Sequence, residues 1–235
     1  MKAMIFAAGL GTRLRPLTDN LPKALVEING KPMLELAIER LAAAGVDEFM
    51  VNTHHFPEQI EEFLRSKDNF GMRIQLSREK AFPLETGGGL KKASAFFKGG
   101  GSFFACNSDV YSEMDLEAMY SAHLATNALA TLAVRERPSE RHLLFNSVME
   151  LKGRAGLTGV AGLKPYAFSG LQVISPEIFP KIVESGVFSI TPVYLRLAEA
   201  GEKIFGFEDA SPFWCDIGDL ERLELVRRRA AETAG

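Results

Sequence analysis

Residues 5–23, IFAAGLGTRLRPLTDNLPK, constrain this chain more than any other stretch. A short apolar strand at residues 3–6 runs directly into Ala7-Ala8-Gly9-Leu10-Gly11-Thr12-Arg13. Small residues keep Cβ atoms from standing between backbone and ligand. Successive amides in such a turn can point at one anion. Arg13 and Arg15 add fixed charge, and guanidinium forks match phosphate oxygens. Pro22 holds the exit, and Lys23 brings a compact ammonium to the same neighbourhood. Donors and cations after a first strand form a cradle for a nucleoside triphosphate, with Ala7, Ala8, Gly9, Gly11, Thr12, Arg13 and Lys23 along it. Two other phosphate loops fit less well. The sixth position of a dinucleotide fingerprint would be Leu14, not Gly or Ala. The Gly-Lys-Ser/Thr ending of a Walker loop is missing, because Lys23 lies far downstream.

Beyond the turn, strand and helix patterns alternate. Strands are predicted at residues 2–6, 48–52, 72–76, 102–106 and 128–134, and helices at 33–44, 57–65, 88–97 and 115–125. Apolar spacing in Leu34, Ala37, Ile38 and Leu41 marks the first helix, and Gly45 stops it. Such alternation favours right-handed crossovers and a mostly parallel sheet between helix layers, a Rossmann-like three-layer α/β sandwich. Ligands then sit at the carboxyl ends of the strands. The loops at 7–23, 52–55, 77–89 and 107–114 all leave that edge. From about 135 to 165 the alternation weakens into short β-like pieces, at 142–145 and 148–151. That segment reads as a small β lobe inserted into a single domain, 1–235. A strand at 167–174, helices at 176–184 and 192–200, strands at 203–207 and 213–215, and a closing helix at 219–231 complete the order.

With 235 residues, 46% of them hydrophobic, the chain can bury a substantial core. A net charge of −3 without a basic run argues against nucleic-acid or membrane-surface binding. No apolar segment reaches the ~20 residues of a membrane span, and the N-terminus has no signal-peptide pattern. Cys106 and Cys215 make no disulfide framework, so a reducing, cytoplasmic setting is expected.

Three further segments carry chemistry. Asn107-Ser108-Asp109 follows an apolar strand, and magnesium prefers one or two carboxylates with phosphate oxygens and water. Asp216 sits in Phe213-Trp214-Cys215-Asp216-Ile217-Gly218, where a carboxylate beside Trp is costly to desolvate unless paired or metal-bound. Leu84-Glu85-Thr86-Gly87-Gly88-Gly89 offers bare backbone to a flat base or ribose, or close packing at a helix start. His54-His55 lacks a third ligand at metal spacing, so both read as hydrogen-bonded loop residues.

The motif AAGxGTRLRPLT with its trailing PK resembles the signature of the sugar-1-phosphate nucleotidylyltransferases. Ser-Asp at 108–109, Trp-x-Asp-Ile-Gly at 214–218 and LETGG at 84–88 extend the resemblance over nearly the whole chain. The LETGGG form is most similar to N-acetylmuramate-1-phosphate uridylyltransferases and short mannose-1-phosphate guanylyltransferases. The resemblance implies a Mg2+-dependent enzyme that transfers a nucleoside monophosphate from an NTP to a sugar 1-phosphate. It implies Asp109 and Asp216 as metal ligands, Arg13 and Lys23 as catalytic groups, and Glu85, Gly87 and Gly88 on the nucleotide. Asn107, Glu150 and Gly170, the last within Phe168-Ser169-Gly170, are implied on the sugar. Around Glu150 the longer family pattern is missing, with no Glu-Lys-Pro after it. The base and the sugar stay open, with UTP and N-acetylmuramate 1-phosphate or GTP and mannose 1-phosphate foremost. Because the chain ends at its closing helix, no acyltransferase extension is expected, and a monomer or small homo-oligomer is. Rival readings are a cytidylyltransferase acting on phosphocholine or a similar alcohol phosphate and a non-catalytic nucleotide-sugar sensor, the latter disfavoured by the presence of Lys23 and both aspartates.

Overall fold

A computed structural model describes residues 1–156 and 162–233. Residues 157–161 of the expected β lobe lie outside the described residues. In chain order the elements are β1 (Lys2–Phe6), β2 (Glu27–Ile28), β3 (Lys31–Pro32), α1 (Met33–Ala43), β4 (Glu48–Thr53), α2 (Pro57–Ser66) and β5 (Arg73–Arg78). Then come α3 (Glu85–Lys92), α4 (Ser94–Phe97), β6 (Phe103–Asn107), β7 (Val110–Ser112), α5 (Leu116–Thr126) and β8 (Ala130–Arg135). The remainder is β9 (Leu143–Phe145), β10 (Leu151–Arg154), β11 (Lys164–Ile174), α6 (Ile190–Glu199), β12 (Ile204–Glu208), β13 (Trp214–Asp216) and α7 (Leu220–Thr233). The fold is α/β and Rossmann-like.

The chain divides into two compact units. The first comprises Met1–Pro83, Cys106–Glu113 and the chain from Pro212 onward. Its β1, β4 and β5 run parallel, with Lys2 opposite Glu48 and Glu48 opposite Arg73. β1 and the centre of β4 are apolar, as covered parallel strands require, whereas β5 at the end of the row alternates polar and apolar residues; Ala3, Met4 and Ile5 are completely buried. Antiparallel β7 and β13 pair Trp214 with Ser112, Cys215 with Tyr111 and Asp216 with Val110. A cluster of Leu14, Val26, Ile28, Met33, Cys215, Ile217, Leu223 and Val226 ties the glycine turn and β13 to α7. Each large side chain in it contributes about 1.5–3 kcal/mol of burial. The closing helix therefore fixes Leu14, beside Arg13, and Ile217, beside Asp216. Asp219 caps its first turn, accepting from the Arg222 amide at 2.9 Å, as an acidic N-cap should.

The second unit comprises Leu84–Ala105 and Met114–Ser211. There β8 and β11 are antiparallel, β12 runs parallel to β8, and β9 and β10 extend the ladder beyond β11. Of the two β pieces expected within 135–165, the first is β9, and the second, β10, lies at Leu151–Arg154 rather than at 148–151. Two predicted helices differ from expectation. The one at 88–97 starts earlier, at Glu85, and breaks at Ala93 into α3 and α4. The one at 176–184 is a 3₁₀ turn, Pro176–Lys181, because Pro180 sits inside it and cannot supply an α-helical amide. Phe97, Phe103 and Phe179 stack as core, with ring centroids of Phe97 and Phe103 3.9 Å apart. Among the described residues no helix is long and apolar enough to cross a membrane.

Candidate active site

The glycine turn begins where β1 ends. The amide of Ala7 donates to Asn52 Oδ1 at 2.8 Å, and Asn52 Nδ2 donates to Glu79 Oε1 at 2.8 Å. All three residues are buried. Ala7 therefore offers the cradle its small side chain rather than its N–H. At Gly9 an added Cβ would meet nothing within 4 Å, so the backbone there faces open space. Gly11 differs: its φ is +66°, and a Cβ would lie 2.9 Å from the Thr18 methyl and 3.1 Å from Lys23 Cβ. Thr18 Oγ1 bonds the Gly11 carbonyl at 2.8 Å. The loop is thus folded back on itself, with Thr12 and Arg13 opening a 3₁₀ turn, Thr12–Leu14, and Lys23 opening another, Lys23–Leu25. The Arg15–Pro16 peptide bond is cis.

The two acidic residues are brought together by backbone geometry. Ser108 N donates to the Phe6 carbonyl at 3.0 Å, which sets Asn107 and Asp109 beside the exit of β1. Ile217 N donates to the Asp109 carbonyl at 2.9 Å, and Asp216 faces Val110 across the ladder. Each carboxylate has a basic partner. Lys23 Nζ pairs with Asp109 Oδ2, and Arg222 Nη1 with Asp216 Oδ1 at 2.6 Å. The hydrogen bond to Asp216 raises the Arg222 pKa beyond its already high ordinary value. Arg13 Nη2 approaches the same corner: a Cβ on Gly218 would lie 3.3 Å from it, 3.2 Å from Arg222 Nη1 and 2.5 Å from Asp216 Oδ1. Among the described residues no third His, Cys, Asp or Glu completes a metal cage.

The second unit holds the other expected residues, each in its own setting. Glu85 begins α3 at φ +58°, a left-handed conformation that is costly outside glycine. The amides of Gly87 and Gly88 both donate to the Phe188 carbonyl, at 2.9 and 3.1 Å. A Cβ on Gly87 would sit 2.8 Å from that oxygen, and one on Gly88 2.5 Å from the Gly186 carbonyl. The packing half of the glycine reading is therefore present in the structure. Glu150 is held by Lys152 at 2.7 Å and by Asn146 Nδ2 at 2.9 Å. Those bonds, Lys152 first, lower its pKa below the usual carboxylate range. Gly170 has φ +77° where the β11–β8 register shifts, so it serves a bulge that needs glycine. His54 Nδ1 lies 2.6 Å from the Glu79 carbonyl, and the His55 ring lies against Phe56.

Sequence reasoning brought Arg13, Lys23, Asp109 and Asp216 to this site but missed Arg222, Asn52 and Glu79. The signal for Arg222 was an arginine following Asp216-Ile217-Gly218 into a helix; for Asn52 it was a polar residue near the end of an apolar strand, and Glu79, just past β5, carried none.

A glycine turn after β1, cations along it, and Asp109 and Asp216 brought near by one backbone hydrogen bond suit an enzyme that handles nucleotides. Residues 2–148 match the family model described as nucleotidyl transferase, and the chain belongs to that family. It is 33% identical to the N-acetylmuramate α-1-phosphate uridylyltransferase of Caulobacter vibrioides, across 98% of this chain and 97% of that protein. It is 35% identical to the protein of the same name from Neisseria meningitidis serogroup B, across 98% of each. The solved structure of a UDP-glucose pyrophosphorylase complexed with UDP-glucose shares the fold, with a TM-score of 0.83 at 20% identity over 99% of this chain and 98% of that one.

Proposed function

We propose that this protein transfers a nucleoside monophosphate from an NTP to a sugar 1-phosphate, with UTP and N-acetylmuramate 1-phosphate as the substrate pair. The relatives from Caulobacter and Neisseria support the choice of pair. The meeting of Asp109 and Asp216 through the Ile217 amide carries the reading. A phosphate oxygen of the sugar 1-phosphate attacks the α-phosphorus in line. The bond from that phosphorus to the α–β bridging oxygen breaks, and pyrophosphate leaves with the electron pair. No protein nucleophile is required; positioning and charge neutralisation suffice.

Two carboxylates, with no third His, Cys, Asp or Glu grouped with them among the described residues, fit magnesium, which keeps waters and substrate phosphates in its shell. Asp109 and Asp216 would hold it, and when bound it would neutralise charge on the α-phosphate and the incoming phosphate. The rest falls to the chain. The open backbone at Gly9 lets the triphosphate approach, and Arg13 binds the oxygens that depart as pyrophosphate. Lys23, already beside Asp109, offsets negative charge growing at the α-phosphorus. Glu85 and Asn107 are assigned to the nucleotide and sugar, and Glu150 and Gly170 to the sugar. The test is a matrix of the common NTPs against sugar 1-phosphates, including mannose and glucose 1-phosphates and phosphocholine, read by pyrophosphate release with and without EDTA. Release confined to UTP with N-acetylmuramate 1-phosphate, and abolished by EDTA, is expected. Release only with CTP and phosphocholine, or none anywhere, overturns the reading.

A further inference from the structure

The transfer described above gives Arg222 nothing to do, yet its placement is specific. Each carboxylate of the site carries one cation: Lys23 on Asp109 and Arg222 on Asp216. The Arg222 side chain is 47% exposed against 13% for Lys23, so solutes reach it. It is nonetheless held from two sides, because Asp219 Oδ2 lies 3.6 Å from its Nε. Arg222 and Arg13 both approach Gly218, where an added Cβ would lie 3.2 Å from Arg222 Nη1, 3.3 Å from Arg13 Nη2 and 2.5 Å from Asp216 Oδ1. Arg13 makes no ion pair of its own among the described residues. A guanidinium without an ion pair beside one held on a partly exposed carboxylate suits an anion with several oxygens, since Arg forks bind phosphate bidentately.

We propose that Arg222 is a polyphosphate-binding residue held ready on Asp216, and that it passes to the phosphate oxygens when a divalent cation takes that carboxylate. The proposal rests on the reading of Asp216 as a metal ligand. One carboxylate oxygen cannot hold a divalent ion and a guanidinium together without strong repulsion between the two cations. If Asp216 exchanges its cation and Arg222 exchanges its anion, neither is left uncompensated in a partly buried corner. Before loading, the same pairing keeps Asp216 from standing as an unpaired charge.

The test uses Arg222→Met, Arg222→Gln and Asp216→Asn in the full chain, with thermal melts to check folding. Mn2+ is titrated into nucleotide-free protein and followed by the fluorescence of Trp214, the only tryptophan, two residues before Asp216. Magnesium pyrophosphate, a product common to every base, is titrated calorimetrically. Removing a competing cation should tighten Mn2+ binding roughly fivefold in both Arg222 variants, as the loss of one exposed ion pair allows. Removing a phosphate ligand should weaken pyrophosphate binding by about tenfold. Weaker Mn2+ binding in these variants would mean that Arg222 only orients Asp216, and unchanged pyrophosphate affinity would mean that it touches no phosphate; either overturns the proposal. Asp216→Asn separates the two levels. If it leaves Mn2+ binding intact, the metal-ligand reading has failed and this proposal with it. If it abolishes Mn2+ binding while the Arg222 variants behave as wild type, the failure is that of Arg222 alone.

Discussion

The backbone N–H of Ile217 donates to the carbonyl oxygen of Asp109 at 2.9 Å. The bond lies just beyond the short ladder in which Asp216 faces Val110. It makes two acidic residues from distant parts of the chain neighbours through main-chain geometry. Side-chain substitutions at either position therefore leave the meeting itself in place, which makes the chemistry testable apart from the fold.

Asp109→Asn and Asp216→Asn should fold and lose most turnover. Each removes one charge from a pair whose side chains are only partly buried, at 24% and 25% exposure for the two aspartates. Asparagine keeps a hydrogen-bond acceptor at each position, so the cost stays within about 1–3 kcal/mol and melting temperature should move by roughly 2–10 °C. Turnover should fall on the order of a hundredfold or more, the typical loss when one preorganised group facing transition-state charge is removed. Lys23→Ala should behave alike. Pyrophosphate release beside a circular-dichroism melt measures both quantities, and full activity in these variants would refute the assigned roles.

The sequence made the turn, its cations and both carboxylates readable because each belongs to a contiguous motif. Alternating apolar runs carried the strand and helix order for the same reason. Arg222 was not readable, since its value lies in reaching back across Gly218 to Asp216 at the start of α7. Asn52 and Glu79 were not readable either, because one is an ordinary polar residue near the end of β4 and the other lies just past β5, and only the parallel register, which sets Phe6 opposite Asn52, shows their purpose. The glycines at 87 and 88 announced close approach without saying to what, and the Phe188 carbonyl answers it within the protein. Pro180 could have warned against a full helix after residue 176.

Asn52→Leu should destabilise the fold and weaken nucleotide binding together. It leaves the Ala7 amide without an acceptor and the Glu79 carboxylate without the donor at 2.8 Å, both in buried surroundings. A buried amide left without an acceptor costs about 1–3 kcal/mol, and the loss of one donor to the Glu79 carboxylate adds to it. A drop of roughly 5–10 °C in melting temperature follows for a chain of this size. Asn52→Asp retains an acceptor for Ala7 but sets a second carboxylate against Glu79, so it should fail at neutral pH and recover partly in acid. Melts at both pH values distinguish the two variants; equal stability of Asn52→Leu and wild type would sink the argument.

Gly87→Ala and Gly88→Ala should each destabilise by about 1–3 kcal/mol, the usual range for overpacking. The new methyl would stand 2.8 Å from the Phe188 carbonyl in the first case and 2.5 Å from the Gly186 carbonyl in the second. For Gly87 the Phe188 ring is the more yielding obstacle. Phe188→Leu combined with Gly87→Ala should therefore recover part of the loss, whereas it should not rescue Gly88→Ala. A double-mutant cycle by chemical denaturation measures this, and strict additivity at Gly87 would show that the ring is not what the methyl meets.

His123 should make stability fall in mild acid. The ring is buried, with Nδ1 2.9 Å from Thr131 Oγ1 and Nε2 2.9 Å from Ser102 Oγ and 3.2 Å from Ser175 Oγ. Burial among hydroxyls penalises the imidazolium and pushes its pKa down to about 4 from an ordinary 6.5. Above pH 6.5 the ring is neutral in both folded and unfolded chains and adds no pH dependence. Between 6.5 and about 4 only the unfolded chain takes up the proton, so stability is lost as pH falls across that window. The full loss approaches ~3 kcal/mol, from about 1.36 kcal/mol for each pKa unit. Denaturation midpoints should fall from pH 7 to 4.5 in the wild type and fall less steeply in His123→Gln, which keeps a donor and an acceptor but does not titrate. Parallel slopes in the two proteins would assign the acid sensitivity to other groups.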